Sequence, residues 1–227
     1  MFLAVPSRQK SPLRWATPLL FAVLWGCFTG LSLLPELRQQ ELVLQWGALS
    51  GGLGERWQWL GDGISLRLIS ALFLHADWAH LLGNLVFLLI FGLPAERAIG
   101  PLRFLALFLI GGAMANLAAV IAIGTPDRLI IGASGAVSAL MGAYVALFPG
   151  ARLGVVVPLG VFLQFVKVPA ALLMGGWALL QLVFTFIGPA FGAVAWSAHL
   201  AGFAIGGAFA LISRTGIARR LRRKRGF

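Results

Sequence analysis

The chain of 227 residues is 59% hydrophobic and 11% charged, with 18 Lys and Arg against 7 Asp and Glu and a formal net charge of +11. Its mean hydropathy of +0.92 excludes an ordinary soluble domain, which at this size carries amphipathic stripes beneath a charged surface. Several near-uncharged runs of about 20 residues match the length that crosses a hydrocarbon core of about 30 Å. A polytopic, all-α membrane protein follows, with no stretch left for a sizeable soluble domain.

In chain order, residues 1–14 form a basic tail, and the run at 15–34, "WATPLLFAVLWGCFTGLSLL", is the first expected span. A basic stretch before an apolar run also opens a secretory signal peptide, but this run is long and no small-residue cleavage site follows it. Cys27, the single cysteine, lies in this span, which excludes an intramolecular disulfide and a four-cysteine metal site. Residues 35–77, with Trp46, Trp57 and Trp59, are expected to be a long interfacial outer loop, since tryptophan favours headgroup depth. Further spans are expected at 78–95, 101–123, 129–148, 169–187 and 191–213. Between the fourth and fifth, "LGVVVPLGVFLQFV" is apolar but interrupted by Pro158, Gly160 and Gln164, with Lys167 and Pro169 beyond. It is expected to be an interfacial or re-entrant element, because a seventh crossing would move the basic tail 214–227 to the other side.

Lys and Arg in short flanks set orientation. One side receives Arg8, Lys10, Arg14, Arg97, Arg103, Arg152, Lys167 and the seven cations of the tail, opposed by Glu96, for a net +13. The other side carries −2, from Arg38, Arg56, Arg67 and Arg128 with six carboxylates. The first side, with both termini, is therefore expected to be cytoplasmic. The charge of "RRLRRKRGF" is explained by topology and grips anionic lipid heads, so no nucleic-acid partner is implied.

Polar groups inside spans are costly and mark function by default. His80 and Asn84 are four apart near the outer start of the second span, on one helix face. Ser134 lies one to two turns into the fourth expected span, and His199 about eight residues into the sixth. All four fall within a few to about 12 Å of the outer face at about 1.5 Å per residue. A serine hydroxyl, an imidazole that can take its proton, and amide and imidazole donors in one layer suit acyl transfer. His199 is the natural base for Ser134. Asn84, His80 and the backbone N–H groups that begin the Ser134 helix are candidate donors to a tetrahedral oxyanion. Gly132 and Gly135 flank the serine and leave room for a substrate backbone, while Gly202 and Gly206 form a small-residue face that lets the fourth and sixth helices approach.

"GASG" followed by "SALMGAY", "AHLAGFAIGG" at 198–207 and "HADWAHLLGN" at 75–84 resemble the three signatures of the rhomboid intramembrane serine proteases, in the family's order, within a resemblance that runs over about residues 65–212. The resemblance implies a six-transmembrane-helix bundle with a long interfacial outer loop between helices 1 and 2, Ser134 as nucleophile, His199 as base, and His80 with Asn84 at the oxyanion. It also implies a Ser–His dyad without a carboxylate, transmembrane protein substrates cut at small residues, and no cofactor or metal. Arg67 resembles the arginine of an outer-loop Trp–Arg pair, although Leu66 precedes it here, and Ser138 stands where well-studied members stack an aromatic on the histidine. Trp196 or Phe203 is then expected to hold His199, and Asp77 is read as structural.

Taken singly, each feature has a plainer reading. A serine between glycines packs or back-bonds to the preceding turn, and His75 caps the entry to the second span. An intramembrane histidine can also relay protons or bind metal, but His75 and His80, five apart, point away from each other on an ideal helix, and no cysteine or carboxylate completes a zinc set. A catalytically silent rhomboid-like protein that binds transmembrane clients would not need the serine, base and oxyanion groups together. A small channel would carry polar stripes along several spans. A prokaryotic plasma membrane is the expected location, since the chain is compact and without an obvious organelle transit peptide.

Overall fold

The computed structural model describes residues 14–50, 64–123, 128–159, 162–187 and 195–225. The expectations that fall on 1–13, 51–63, 124–127, 160–161, 188–194 and 226–227, those on Trp57, Trp59, Asp127 and Gly160 among them, lie outside the described residues. The elements run α1 Ala16–Ser32, α2 Glu36–Trp46, β1 Ala48–Leu49, α3 Ile64–Ser70, α4 Trp78–Phe87, α5 Leu93–Ile99, α6 Pro101–Ala122, β2 Leu129–Ile130, α7 Ser134–Leu147, β3 Arg152–Leu159, β4 Phe162–Pro169, α8 Ala170–Ile187 and α9 Trp196–Arg225. Trp78–Ile99, Pro101–Ala122, Ala170–Ile187 and Trp196–Ser213 are long and apolar enough to cross a membrane, and Ala16–Ser32 and Ser134–Leu147 are shorter apolar helices. The architecture is an all-α membrane bundle.

Its centre is α7. Every residue from Gly135 to Tyr144 is buried, which explains a sequence apolar on all sides: neighbours cover this helix in every direction. Fourteen residues give a length of only about 21 Å, and small side chains let α6 and α9 close on it. A Cβ at Gly112 would stand 2.7 Å from Ala136 Cβ, and one at Gly206 would overlap the carbonyl oxygen of Ala139. By contrast, α6 and α8 present Ile110, Leu172 and Phe186 outward, as a lipid-facing surface requires.

The second expected span reaches Ile99 through a π-helical turn at Leu88–Gly92. Pro94 follows directly, and a proline removes a donor and clashes with the carbonyl four residues back, so the helix widens rather than breaks. At its far end the buried Glu96 carboxylate caps α1, accepting from Ala16 N at 3.0 Å, Thr17 N at 2.9 Å and Thr17 Oγ1 at 2.7 Å.

One expected boundary moves, and three regions gain local structure. The described residues of 35–77 include the helices α2 and α3, a 3-10 turn at Ala71–Phe73 and the strand β1, which pairs antiparallel with β2 through Ala48↔Ile130 and Leu49↔Leu129. That pairing takes Leu129 and Ile130 out of the fourth span, so its helix starts at Ser134. The 152–169 element is an antiparallel hairpin registered from Arg152↔Pro169 to Leu159↔Phe162, as the β-branched run Val155, Val156, Val157 favours. Finally, α9 continues through Arg225, because arginine and lysine are good helix formers and suit a helix C-terminus.

Candidate active site

Three helices, α4, α7 and α9, begin around one cavity of about 740 Å³, and its lining includes Asp77, His80, Asn84, Ser134 and His199. Helix N-termini carry unpaired N–H groups and a partial positive charge, so this end of the bundle favours developing negative charge.

Ser134 is the first residue of α7, one to two turns earlier in its helix than the hydropathy run suggests. The chain reaches it through Gly132, whose φ of 111° lies in the left-handed region, and a Cβ there would stand 2.6 Å from the His80 ring. Only glycine meets both demands. The loop is tied down by Gly132 N donating to Ala71 O at 2.8 Å and Ala133 N donating to His75 Nε2 at 3.4 Å. No side chain caps α7, and by position the N–H groups of Ser134 and Gly135 have no intrahelical acceptor.

His199, in the first turn of α9, places Nε2 2.8 Å from Ser134 Oγ. The approach depends on Gly202, where a Cβ would overlap the Gly135 carbonyl oxygen; Gly135 in turn lets α6 close on α7, since a Cβ there would stand 2.9 Å from Ala115 Cβ. His80 and Asn84 line the same cavity, with Asn84 Nδ2 donating to His80 O at 3.0 Å. Asp77 is structural: it caps α4, accepting from His80 N at 2.8 Å.

His75 does not cap the helix. It is buried, accepts from the loop before Ser134, and meets His80 edge to face with ring centroids 5.1 Å apart. The two rings face each other because His75 precedes the helix. Burial, then the neighbouring His80, pushes His75 down to about 4. Arg67 binds α2, donating from Nε to Gly47 O at 2.8 Å and from Nη2 to Leu44 O.

At the position four after the serine, Ser138 back-bonds to Ser134 O at 2.6 Å. Trp196 meets His199 edge-on at 6.1 Å, as expected, whereas Phe203 packs on Trp177. Two contacts go beyond the sequence expectations. Trp177 lies 6.1 Å from the His199 ring at 30°, and Gln181 Oε1 lies 2.7 Å from His199 Nδ1. They are four apart on α8 and so share a face. The sequence does carry a signal for Gln181, since an uncharged polar residue in an apolar span is as conspicuous as an ionisable one.

Residues 63–215 match the family model described as Rhomboid domain. The chain belongs to the rhomboid family. It is 32% identical over 124 residues to the Putative rhomboid protease YdcA of Bacillus subtilis, covering 54% of this chain and 56% of that one. It is 36% identical over 90 residues to RHOMBOID-like protein 5 of Arabidopsis thaliana, covering 40% and 26%. With Rhomboid-related protein 2 of Mus musculus it shares 38% over 78 residues, covering 34% and 25%. The aligned regions thus span from about a quarter to about half the length of these rhomboid relatives.

Proposed function

We propose that this rhomboid is an intramembrane serine endopeptidase that cleaves transmembrane-helix substrates within or near the bilayer through a Ser134–His199 dyad. The observation that carries the reading is the 2.8 Å contact between His199 Nε2 and Ser134 Oγ at the wall of a cavity that also presents His80 and Asn84. A bare Nε2 takes the Oγ proton as Oγ attacks the scissile carbonyl carbon. The oxyanion receives hydrogen bonds from the Ser134 and Gly135 N–H groups, an imidazole N–H of His80 and the Asn84 amide, and each such donor is typically worth about 100- to 1000-fold in rate. The imidazolium then protonates the leaving amine. Water attacks the acyl carbon as His199 takes its proton, the C–Oγ bond breaks, and His199 passes that proton to Ser134 Oγ, releasing the acid product and restoring the free serine.

The substrate helix enters beside α8, which is buried only at Ala170, Met174 and Gln181. Its upper turn unwinds to expose a peptide bond otherwise shielded by helical hydrogen bonds. In this reading both termini face the cytoplasm and the basic tail contacts anionic lipid of a prokaryotic plasma membrane; the charge asymmetry between the two sides supports the orientation.

The test is cleavage of a model transmembrane substrate by purified protein in liposomes, for wild type, Ser134→Ala and His199→Ala. Wild type cuts and both variants lose activity. A fluorophosphonate labels wild type and not Ser134→Ala. Cleavage that survives Ser134→Ala overturns the assignment, and a wild type that binds a transmembrane client without cutting or labelling favours the client-binding alternative.

A further inference from the structure

Helix α8 is apolar and largely exposed, yet it sends one amide inward. Gln181 is 5% exposed, and burying an amide is unfavourable unless its polar atoms find partners. The partner is His199: Oε1 lies 2.7 Å from Nδ1, on the side of the ring opposite Ser134. An amide oxygen only accepts, so the proton on this bond belongs to Nδ1. A neutral imidazole with its proton on Nδ1 leaves Nε2 bare, and Nε2 is the atom 2.8 Å from Ser134 Oγ. The opposite tautomer would present an N–H to Oγ and could not take its proton. Among the described residues, the carboxylate lining the cavity is Asp77, and it is engaged as the α4 cap.

We infer that Gln181 is a positioning residue for His199, setting the Nδ1–H tautomer and the ring orientation from helix α8 in the place where a serine-hydrolase triad carries a carboxylate. The assignment rests on the proteolytic reading of Ser134 and His199. Trp177, one turn earlier on the same face of α8, lies against the same ring, so a single helix holds the base by both nitrogen and face. Tautomer and orientation are therefore conditional on where α8 sits.

The chain has three histidines, so ¹⁵N-histidine labelling of the full-length protein in lipid nanodiscs gives a spectrum in which His199 is assigned by its loss in His199→Ala. Wild type carries the His199 proton on Nδ1, and Gln181→Leu moves it toward Nε2. Gln181→Glu, which keeps an acceptor in place, retains Nδ1–H. Fluorophosphonate labelling of Ser134 falls roughly 100-fold in Gln181→Leu and recovers to within about 10-fold of wild type in Gln181→Glu. In substrate cleavage the loss is in kcat with KM little changed. A wild-type His199 protonated on Nε2, or Gln181→Leu labelled at the wild-type rate, overturns the inference. If Gln181→Leu does not fold, the wild-type and Gln181→Glu spectra decide it. A wild type that fluorophosphonate never labels overturns the hydrolase reading alone, because the spectrum still reads the Gln181–His199 bond.

Discussion

Ser134 and His199 meet at 2.8 Å across 65 residues of sequence because α7 and α9 approach backbone to backbone at Gly202 and Gly206. A valine at Gly206 would drive its branched side chain into the Ala139 carbonyl, and overpacking of this kind typically destabilises by about 1–3 kcal/mol or more. Gly206→Val should therefore lower the thermal unfolding midpoint in detergent and abolish Ser134 labelling together. Gly176, with nothing within 4 Å of a Cβ built on it, is the control. Gly176→Ala should leave both unchanged, and equal behaviour of the two variants would remove the packing account.

Gly132 separates activity from stability. An alanine there must hold φ near 111° and displace the His80 ring from 2.6 Å. The backbone strain is on the order of 1–2 kcal/mol, but the displaced ring is a proposed oxyanion donor. Gly132→Ala is thus expected to lose about 100-fold or more in labelling rate with only a modest drop in unfolding midpoint. Full activity in a folded Gly132→Ala would show that His80 does not work from this position.

Much of this site can be read from residue types alone. An unpaired serine, histidine and asparagine in hydrocarbon are costly enough to stand out, and counting cations places them at one end of the bundle, where α4, α7 and α9 do begin. Hydropathy is blind to backbone dihedrals, so the positive φ of Gly132 and the β1–β2 pairing that delay α7 to Ser134 are not visible in "RLIIGASG". The hairpin at 152–169 is equally hidden, because a short apolar run is the same to a hydropathy scale whether it is strand or helix. Gln181 is as visible in the sequence as Asn84, and the four-residue spacing of Trp177 and Gln181 repeats that of His80 and Asn84; its partner is not, because the bond to His199 Nδ1 is set by how α8 packs beside α9.

Glu96 should be a stability residue remote from the site. Its buried carboxylate satisfies three donors at the start of α1, and α1 has no side-chain cap of its own. Glu96→Gln replaces one acceptor oxygen with an NH₂ that faces donors, at a cost of roughly 2–4 kcal/mol. The unfolding midpoint should fall clearly, while the labelling rate of the folded fraction at low temperature stays near wild type. A midpoint within error of wild type would mean that α1 is held by apolar packing alone.

His75 should make the fold acid-sensitive. Its ordinary value of 6.5 is lowered to about 4 in the folded chain, so between those values the unfolded state binds the extra proton. Its contribution to stability is complete above pH 6.5 and is lost as pH falls toward 4. Protonation also removes the lone pair on Nε2 that accepts from Ala133 N–H, next to the nucleophile. The reference is His75→Gln, whose amide keeps an acceptor at this position and cannot titrate. Between about pH 7 and about pH 4.5 the wild-type midpoint should fall further than that of His75→Gln by on the order of 2 kcal/mol, or roughly 4–8 °C. Parallel curves for the two proteins would mean that His75 is already charged, or already solvated, in the native state.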